Sequence, residues 1–467
     1  MSEKIDGALQ EAIRILFLGL FFFLPLIFWI PNSEVFELPK MYFVYAVTTL
    51  ITGLWMARMI VRREILIQRT PLDIPVLLFL LSQIVSTIYS IDPHVSWFGW
   101  YGRFNGGLLS TVSYTLLYYA LVSNIVNSKQ ITVNGKRGNF PIYGLPFTVY
   151  PIIVSSIIVS LYALLQHFGI DRNFWVQDVT NRVFSTQGQP NWLGAYLVMV
   201  IPLVWVGIVN KVQRTKINGR SLTAYCLLFT ALLFTKSRSG LLGFAVADIV
   251  FWTAILVNRF NSSSRVRSKA TNREIQRSDW NDGRHFLTIH FLMAILVLTT
   301  NNPIQETLFK NRITTSSADW LTPRNDKIPQ KSEFGGTESG DIRKLVWSGA
   351  LKIARQNPVF GTGPETFGLT YWQARPKEAN LTSEWNFLYN KVHNEWLNLA
   401  TNTGLFGLGS HLLLIVWFAI WILKGPAPQL RGRALLNYAI LAAILGVETV
   451  NFFGFSTVTT ATYRYLF

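Results

Sequence analysis

The side chains best suited to chemistry lie in one long polar segment, from about Ser339 to Gly404, which stands between apolar stretches of the chain. Arg343 and His393 are its two most suggestive residues. The guanidinium of an arginine is planar and permanently charged, and it matches a phosphate better than other side chains do. A neutral imidazole can act as a general base. The segment is therefore a candidate for anion binding and proton transfer, with a solvated arginine and a structural histidine as the alternatives.

Two helices are predicted to carry these residues. Apolar residues at helical spacing from Asp341 to Gln356 predict an amphipathic helix that ends at Asn357-Pro358. A second helix, at about 391–403, is predicted to begin with His393 in its first turn. The positive end of the helix dipole would then lower the pKa of the imidazole and keep it neutral. Asn394 and Glu395 could orient the ring.

The turn GTGPETF between these helices contains Gly361 and Gly363. Glycines without a side chain would let the backbone approach a ligand closely. Taken alone, the motif favours the alternative, an ordinary loop after a helix. Gly404, at the end of the second helix, is predicted to terminate it.

The composition is that of a membrane protein. Half of the 467 residues are hydrophobic and 14% are charged, whereas a soluble chain carries about 25% charged residues. Apolar runs of about 16–20 residues, long enough to cross about 30 Å of hydrocarbon, recur along the chain. The first run lacks a cleavage site and is predicted to be a retained helix. We predict eleven spans, or twelve with a further helix, at about 12–30, 41–60, 73–90, 108–124, 147–165, 191–209, 221–236, 240–257, 286–300, 408–423 and 434–452.

The net charge of +17 follows the pattern of a membrane protein rather than that of a nucleic-acid-binding protein. Lys and Arg concentrate in alternate loops, at 62–69, 127–139, 211–220, 258–277 and 424–433. Basic loops mark the cytoplasmic side, so the long polar segment is predicted to face the outside of the cell (inner or plasma) membrane. We predict transmembrane helices in 1–300, an extracytoplasmic catalytic loop with amphipathic helices at 301–407, and C-terminal transmembrane helices in 408–467. The expected partners include membrane lipids but no nucleic acid.

The sequence lacks the motifs of several common kinds of enzyme and metal site. Cys226 is the single cysteine, which excludes disulfides within the chain and argues against a cysteine-based metal site. The six histidines lack metal-binding spacing, and no Walker A motif, dinucleotide fingerprint or G-x-S-x-G elbow is present. The sequence therefore predicts an all-α polytopic membrane enzyme that uses no metal and no cofactor. Asp248 and Glu448 lie within apolar spans, where polar residues serve either function or helix packing.

The ordered pattern R-x-x-x-W…N-P-x-x-G-x-G-P-x-x-F…H-N-x-x-L-x(6)-G, from Arg343 to Gly404, resembles the O-antigen ligase and polymerase superfamily. The likeness extends from about residue 75 to 455. One departure is Trp347, where the family has leucine. The chain stops at ATYRYLF, where such proteins usually begin a last helix, so we expect a truncated reading frame. Three upstream segments resemble the family too: WYGRFNGG with Arg103, NRVFSTQGQPNWLGAYL with Arg182 and Asn191, and TKSRSGLLGF with Arg238.

The resemblance implies a glycan donor carried on undecaprenyl pyrophosphate. Arg343, Arg238 and Arg182 would neutralise the leaving pyrophosphate. His393 would take the proton from the acceptor hydroxyl, and the sugar would transfer with inversion. For Arg238, contact with lipid headgroups is the alternative. The remaining implied substrate-binding residues are Arg103, Asn191, Asn394, Gly361 and Gly363.

Three classes of function stay open at this point. The first is glycan transfer, by a ligase, by a polymerase of repeat units, or by an oligosaccharyltransferase that modifies protein hydroxyls. These three would share a donor and differ in their glycan, lipid or protein acceptor. The second class is a transporter or flippase, which would favour charged residues along a path through the membrane midplane. The third is a non-catalytic scaffold.

Overall fold

The computed structural model describes residues 2–126, 145–209, 219–266, 272–300, 302–305, 337, 339–424 and 431–467. Four of the predicted basic loops therefore lie wholly or partly outside the described residues, as do residues 306–336 of the predicted catalytic loop. Within the described residues the fold is all-helical and contains no strand, as predicted.

The described α-helices are numbered here in chain order. They are α1 (Ser2–Phe23), α2 (Glu37–Arg62), α3 (Asp73–Ile88), α4 (Pro93–Phe98), α5 (Leu108–Leu121), α6 (Leu145–His167), α7 (Pro190–Val209), α8 (Gly219–Phe234), α9 (Arg238–Val266), α10 (Asn272–Thr299), α11 (Ser339–Gln356), α12 (Phe367–Ala374), α13 (Glu395–Asn402), α14 (Gly404–Lys424), α15 (Arg431–Phe452) and α16 (Val458–Leu466).

Each predicted span overlaps one of these helices. Among the described residues, seven helices are long and apolar enough to cross a membrane: α2, α5 with the turn after it, α6, α7, α9, α14 and α15. Helices α3 and α8 and the second half of α10 are shorter apolar helices. The first predicted span, 12–30, extends past the end of α1 at Phe23, because Pro25 lies just beyond and proline cannot continue a helix.

Helix α7 forms the centre of the membrane bundle. It is buried along almost its whole length and packs against α8, α9 and α15. Helices α9 and α15 approach closely through two glycines. A Cβ added at Gly243 would lie 2.6 Å from the carbonyl oxygen of Gly446, and one at Gly446 would lie 2.9 Å from that of Gly243. Small residues of this kind allow close backbone contact between membrane helices.

A second, smaller core lies in the polar segment between α10 and α14. Helix α11 is amphipathic as predicted, and its buried face includes Ile342, Val346 and Ile353. That face packs against Phe367 and Tyr371 of α12 and against the loop before α13. We call this unit, α11 to α13, the loop module. It carries both Arg343 and His393.

The turn with Gly361 and Gly363 bonds to the end of α13 and packs against Ser90. The N–H of Gly363 donates to the carbonyl of Asn402 (2.8 Å), and the N–H of Thr362 to that of Thr401 (3.0 Å). These bonds satisfy carbonyls that the end of α13 would otherwise leave unpaired. A Cβ at Gly361 would lie 2.3 Å from the carbonyl carbon of Asn402, and one at Gly363 would lie 2.0 Å from Ser90 Oγ. Both glycines also have positive φ angles, so this turn requires glycine for packing.

The polar residues within the apolar spans have partners. Asp248 of α9 accepts from Trp252 Nε1 (3.0 Å) and lies 3.0 Å from His290 Nε2 of α10. Glu448 of α15 contacts His411 Nε2 of α14 (3.3 Å) and Arg464 Nη1 of α16 (2.9 Å). These contacts link neighbouring helices, which supports the helix-packing interpretation.

Candidate active site

A cavity of about 230 Å³ lies where the loop module meets the membrane helices. Four of the residues predicted from the sequence line it: Arg182, Asn191, Arg343 and His393. They come from a loop, from the first turn of α7, from α11 and from the loop before α13. Residues separated by up to about 200 positions in the chain thus meet at one site. The other lining residues include Gln189, Trp192, Ser239, Ser339, Glu384, Tyr389, Asn451 and Phe455.

Arg343 brings a positive charge without a partner to this cavity. It lies in the second turn of α11, on the border of the buried face, and is half-buried. Within the described residues its guanidinium makes no ion pair or hydrogen bond, whereas neighbouring Lys344 pairs with Asp341. Burial lowers the pKa of Arg343 from its ordinary value. A half-buried cation without a protein partner is unfavourable unless an anion occupies the cavity.

Arg182 is a second, more firmly held guanidinium. Its Nε donates to the carbonyl of Thr235 (3.0 Å), and its Nη2 donates to Asn191 Oδ1 (3.2 Å). Ser237 Oγ donates to the same amide oxygen (2.9 Å). Burial first, and then the charges of Arg343 and Arg238, lower the pKa of Arg182. Asn191 therefore orients an arginine whose neighbours are two further arginines.

His393 lies one residue before the point where α13 is capped. The prediction that it belongs to the first turn is wrong, because Asn394 is the N-cap and its Oδ1 accepts from the N–H of Leu397 (3.0 Å). His393 instead has a left-handed backbone, with φ of 56°, a conformation that costs about 1–3 kcal/mol for a residue other than glycine. Such strain is typical of functional positions.

The imidazole of His393 is kept neutral by its surroundings. Burial and then the charges of Arg343 and Arg103 lower its pKa to about 4. The direction agrees with the prediction, and burial is the largest cause. Asn394 caps the helix and Glu395 accepts a weak bond from the N–H of Ser456 (3.4 Å), so neither orients the ring. Within the part of the chain that the structure describes, the ring nitrogens have no hydrogen-bond partner and can serve a substrate.

Arg103 lies behind the cavity rather than in its lining. Its guanidinium stacks at 5.1 Å from the ring centroid of Trp192 and 5.4 Å from that of Phe455. Both rings line the cavity, and Phe455 contacts the His393 ring at a centroid distance of 5.5 Å. Arg103 Nε also donates to Glu34 at 3.4 Å. Arg103 thus packs against the aromatic wall formed by Trp192 and Phe455, and it places a positive charge near the imidazole of His393.

The remaining predicted residues lie outside the cavity lining. Arg238 is exposed at the first residue of α9, next to Ser239, which does line the cavity. Asn394 is 2% exposed and its side chain caps α13. Gly361 and Gly363 contact the end of α13 and the Ser90 region. Asn394 thus supports the start of α13, and the glycines support its end.

Among the lining residues that sequence reasoning missed are Glu384 and Tyr389. The phenol of Tyr389 donates to Glu384 Oε2, and the Tyr389 ring lies 6.2 Å from that of His393. Both belong to a stretch without helical periodicity. The only signal in the sequence is the position of Tyr389 four residues before His393. Among the described residues, no group of three or more His, Cys, Asp or Glu side chains is arranged to hold a metal ion.

Residues 223–412 match the sequence model of a family described as O-antigen ligase. The matched region contains Arg238, the whole loop module and the start of α14. This matched stretch, about two fifths of the chain, is similar to the O-antigen ligase superfamily. Among the described residues, seven helices are long and apolar enough to cross a membrane, and together with this match they indicate a multi-pass membrane protein. Among curated proteins, none matches the chain significantly.

The pKa of His393 provides a test of this geometry that does not depend on activity. Because the charge of Arg103 contributes to lowering that pKa, Arg103→Gln should raise it toward 6.5, while burial keeps it below that value. The measurement is an NMR titration of labelled histidine in detergent, with the His393 signal assigned by its loss in His393→Ala. Arg355→Gln, which removes an exposed charge from the end of α11, is the control and should leave the titration unchanged. An unchanged or lower pKa in Arg103→Gln would contradict the arrangement.

Proposed function

We propose that the chain transfers a glycan from a polyprenyl-pyrophosphate donor to an acceptor hydroxyl, in the manner of an O-antigen ligase. The match of residues 223–412 to the O-antigen ligase family supports glycan transfer of the ligase or polymerase type in general terms. One observation supports the more specific proposal of donor and catalytic residues. The unpaired guanidinium of Arg343 and the neutral imidazole of His393 line the same cavity.

The donor's pyrophosphate would occupy the arginine side of the cavity. Among the residues that the structure describes, no protein anion neutralises Arg343, and Arg182 is oriented by Asn191 toward the same space. Guanidinium groups form paired hydrogen bonds with phosphate oxygens and compensate their charge. Arg238, exposed beside Arg182, would meet the donor at the rim. As the bond to the sugar breaks, negative charge grows on the leaving pyrophosphate, and fixed cations stabilise that charge most strongly in the transition state.

The acceptor would approach from the side of His393. An imidazole nitrogen takes the proton of the acceptor hydroxyl while the acceptor oxygen attacks the anomeric carbon. The bond from that carbon to the pyrophosphate oxygen breaks, and polyprenyl pyrophosphate leaves with the electron pair. Attack opposite the leaving group inverts the anomeric centre. The neighbouring arginines would promote this step in two ways. They keep the imidazole of His393 unprotonated, and they bind the leaving pyrophosphate.

The cavity is proposed to face the extracytoplasmic side of the cell membrane. The basic loops alternate along the sequence so that the loop module falls on the side poor in Lys and Arg. A donor that carries its own high-energy pyrophosphate bond requires no nucleotide there. The reaction needs no step that a metal would have to perform, because cationic side chains stand where the charge develops.

Two related activities would use the same donor site. A polymerase of repeat units or a protein O-oligosaccharyltransferase differs from a ligase only in the acceptor. A transporter is less well supported, because the cationic residues cluster in the loops and at helix ends rather than along the membrane midplane.

The role of Arg343 predicts that lysine cannot replace it. An ammonium keeps the charge but cannot form the paired contact with phosphate, so Arg343→Lys should lower kcat/KM by about 10²–10³-fold. Transfer is measured with purified protein and lipid-linked donor in proteoliposomes. Arg355→Lys, at the exposed end of the same helix, should remain fully active. Full activity of Arg343→Lys would return Arg343 to the role of a solvated surface residue.

The role of His393 predicts a loss of rate with retained donor binding. His393→Ala should lower the rate of transfer by about 10²–10⁴-fold, while binding of the lipid-linked donor stays near that of the unmodified protein. An imidazole with a pKa of about 4 is a base at any pH above that value. Since kcat/KM reports the free enzyme, kcat/KM for transfer should persist through pH 6.5 and fall only as pH approaches about 4, and EDTA should not change it. Undiminished transfer by His393→Ala, or its abolition by EDTA in the unmodified protein, would contradict the mechanism.

A further inference from the structure

Among the described residues that line the cavity there is one carboxylate, which a pyrophosphate site alone does not explain. Glu384 is half-buried and lines the cavity together with Arg182 and Arg343. Nevertheless, within the described residues its carboxylate forms no ion pair with either arginine. A negative charge beside a bound pyrophosphate would repel it. Glu384 must therefore face a different part of the substrates.

The position of Glu384 is set by its neighbours. The phenol of Tyr389 donates a hydrogen bond to Glu384 Oε2. Tyr389 is 4% exposed and packs against Tyr371 at a centroid distance of 5.8 Å and Phe387 at 5.0 Å. Burial and the bond to Glu384 raise the pKa of Tyr389 well above its usual range, so the phenol stays protonated and remains a donor.

The backbone next to Glu384 is also fixed. The N–H of Ser383 donates to Thr337 Oγ1 (2.8 Å), and the N–H of Thr337 donates to Ser383 Oγ (3.0 Å). This reciprocal pair connects the loop to the approach to α11. A carboxylate held in this way cannot swing freely toward the arginines, and Oε1 has no protein donor among the described residues.

The chemistry of an ionised carboxylate limits what this free oxygen can bind. It only accepts hydrogen bonds, so its partner must bring a donor. Tyr389 connects Glu384 to the His393 side of the cavity, since the two rings lie 6.2 Å apart. On that side the proposed reaction places the acceptor. The acceptor's reacting hydroxyl gives its proton to His393, so Glu384 would receive a second hydroxyl of the same molecule.

We propose that Glu384, oriented by Tyr389, forms an acceptor subsite that recognises a hydroxyl adjacent to the one that reacts, and hence selects a sugar acceptor over an isolated serine or threonine hydroxyl. This inference rests on the proposed function and narrows it. Glu384 acts here on specificity, while His393 and the arginines carry the reaction.

The test compares two soluble acceptors that differ by one hydroxyl. One is an alkyl glycoside with adjacent hydroxyls, and the other is its analogue lacking the hydroxyl next to the reacting one. A hydrogen bond to a charged group corresponds to a factor of about 10–100 in binding. Glu384→Gln keeps the size of the side chain and removes the charge. It should raise the acceptor KM for the glycoside by about that factor, leaving the donor KM and the rate with the deoxy analogue unchanged.

Two further variants test the orientation of Glu384 and provide a control. Tyr389→Phe removes only the hydroxyl that orients Glu384, so it should raise the acceptor KM in the same selective way and by a smaller factor. Glu378→Gln removes an exposed carboxylate from the same loop and is the control that should change nothing. A raised donor KM in Glu384→Gln, an equal loss with both acceptors, or efficient transfer only to a serine-containing peptide would overturn the subsite. Failure of the proposed function looks different, because the unmodified protein would then transfer to no acceptor at all.

Discussion

A positive charge without a protein partner, placed beside an unprotonated imidazole, is the physical constraint on which the rest of the site depends. Arg343 is half-buried and unpaired among the described residues, and its charge helps to lower the pKa of His393 to about 4. In bulk water the electrostatic interaction between these two groups would be weak. In a partly enclosed cavity the field of the arginines acts at close range, because few waters screen it. The same charges thus prepare a binding site for an anion and keep the base ready to accept a proton.

The surrounding structure maintains this arrangement. Membrane helix α7 presents Asn191, which orients Arg182, and the aromatic wall of Trp192 and Phe455 separates Arg103 from the cavity. The glycine turn at 361–363 joins α11 and α12 to the end of α13 within the loop module and packs against the Ser90 region, where any larger side chain would collide. Rigid support of this kind matters because electrostatic stabilisation of a transition state requires charges that are already in place.

The sequence was sufficient to predict some parts of this site and insufficient for others. Helix α11 was predictable because its apolar residues recur with the helical period and one face is buried. The predicted start of α13, at about 391, lies four residues too early, because Asn394, a strong N-cap residue, makes Glu395 the first helical residue. The sequence leaves Gly361 and Gly363 open between a ligand contact and an ordinary loop, because tertiary contacts decide whether a missing side chain makes room for a ligand or for another backbone. Glu384 and Tyr389 lie in an irregular loop, where no periodic pattern indicates which side chains turn toward the cavity.

The central claim is that the arginines bind the pyrophosphate of a lipid-linked glycan while His393 faces the acceptor. A cryo-electron microscopy structure of the protein with a polyprenyl-pyrophosphate glycan bound would test it most directly. We expect both Arg343 and Arg182 within hydrogen-bond distance of the pyrophosphate oxygens, with the anomeric carbon between them and the His393 ring. A donor whose pyrophosphate lies away from Arg343 and Arg182, or whose sugar occupies the opposite side from His393, would contradict the account.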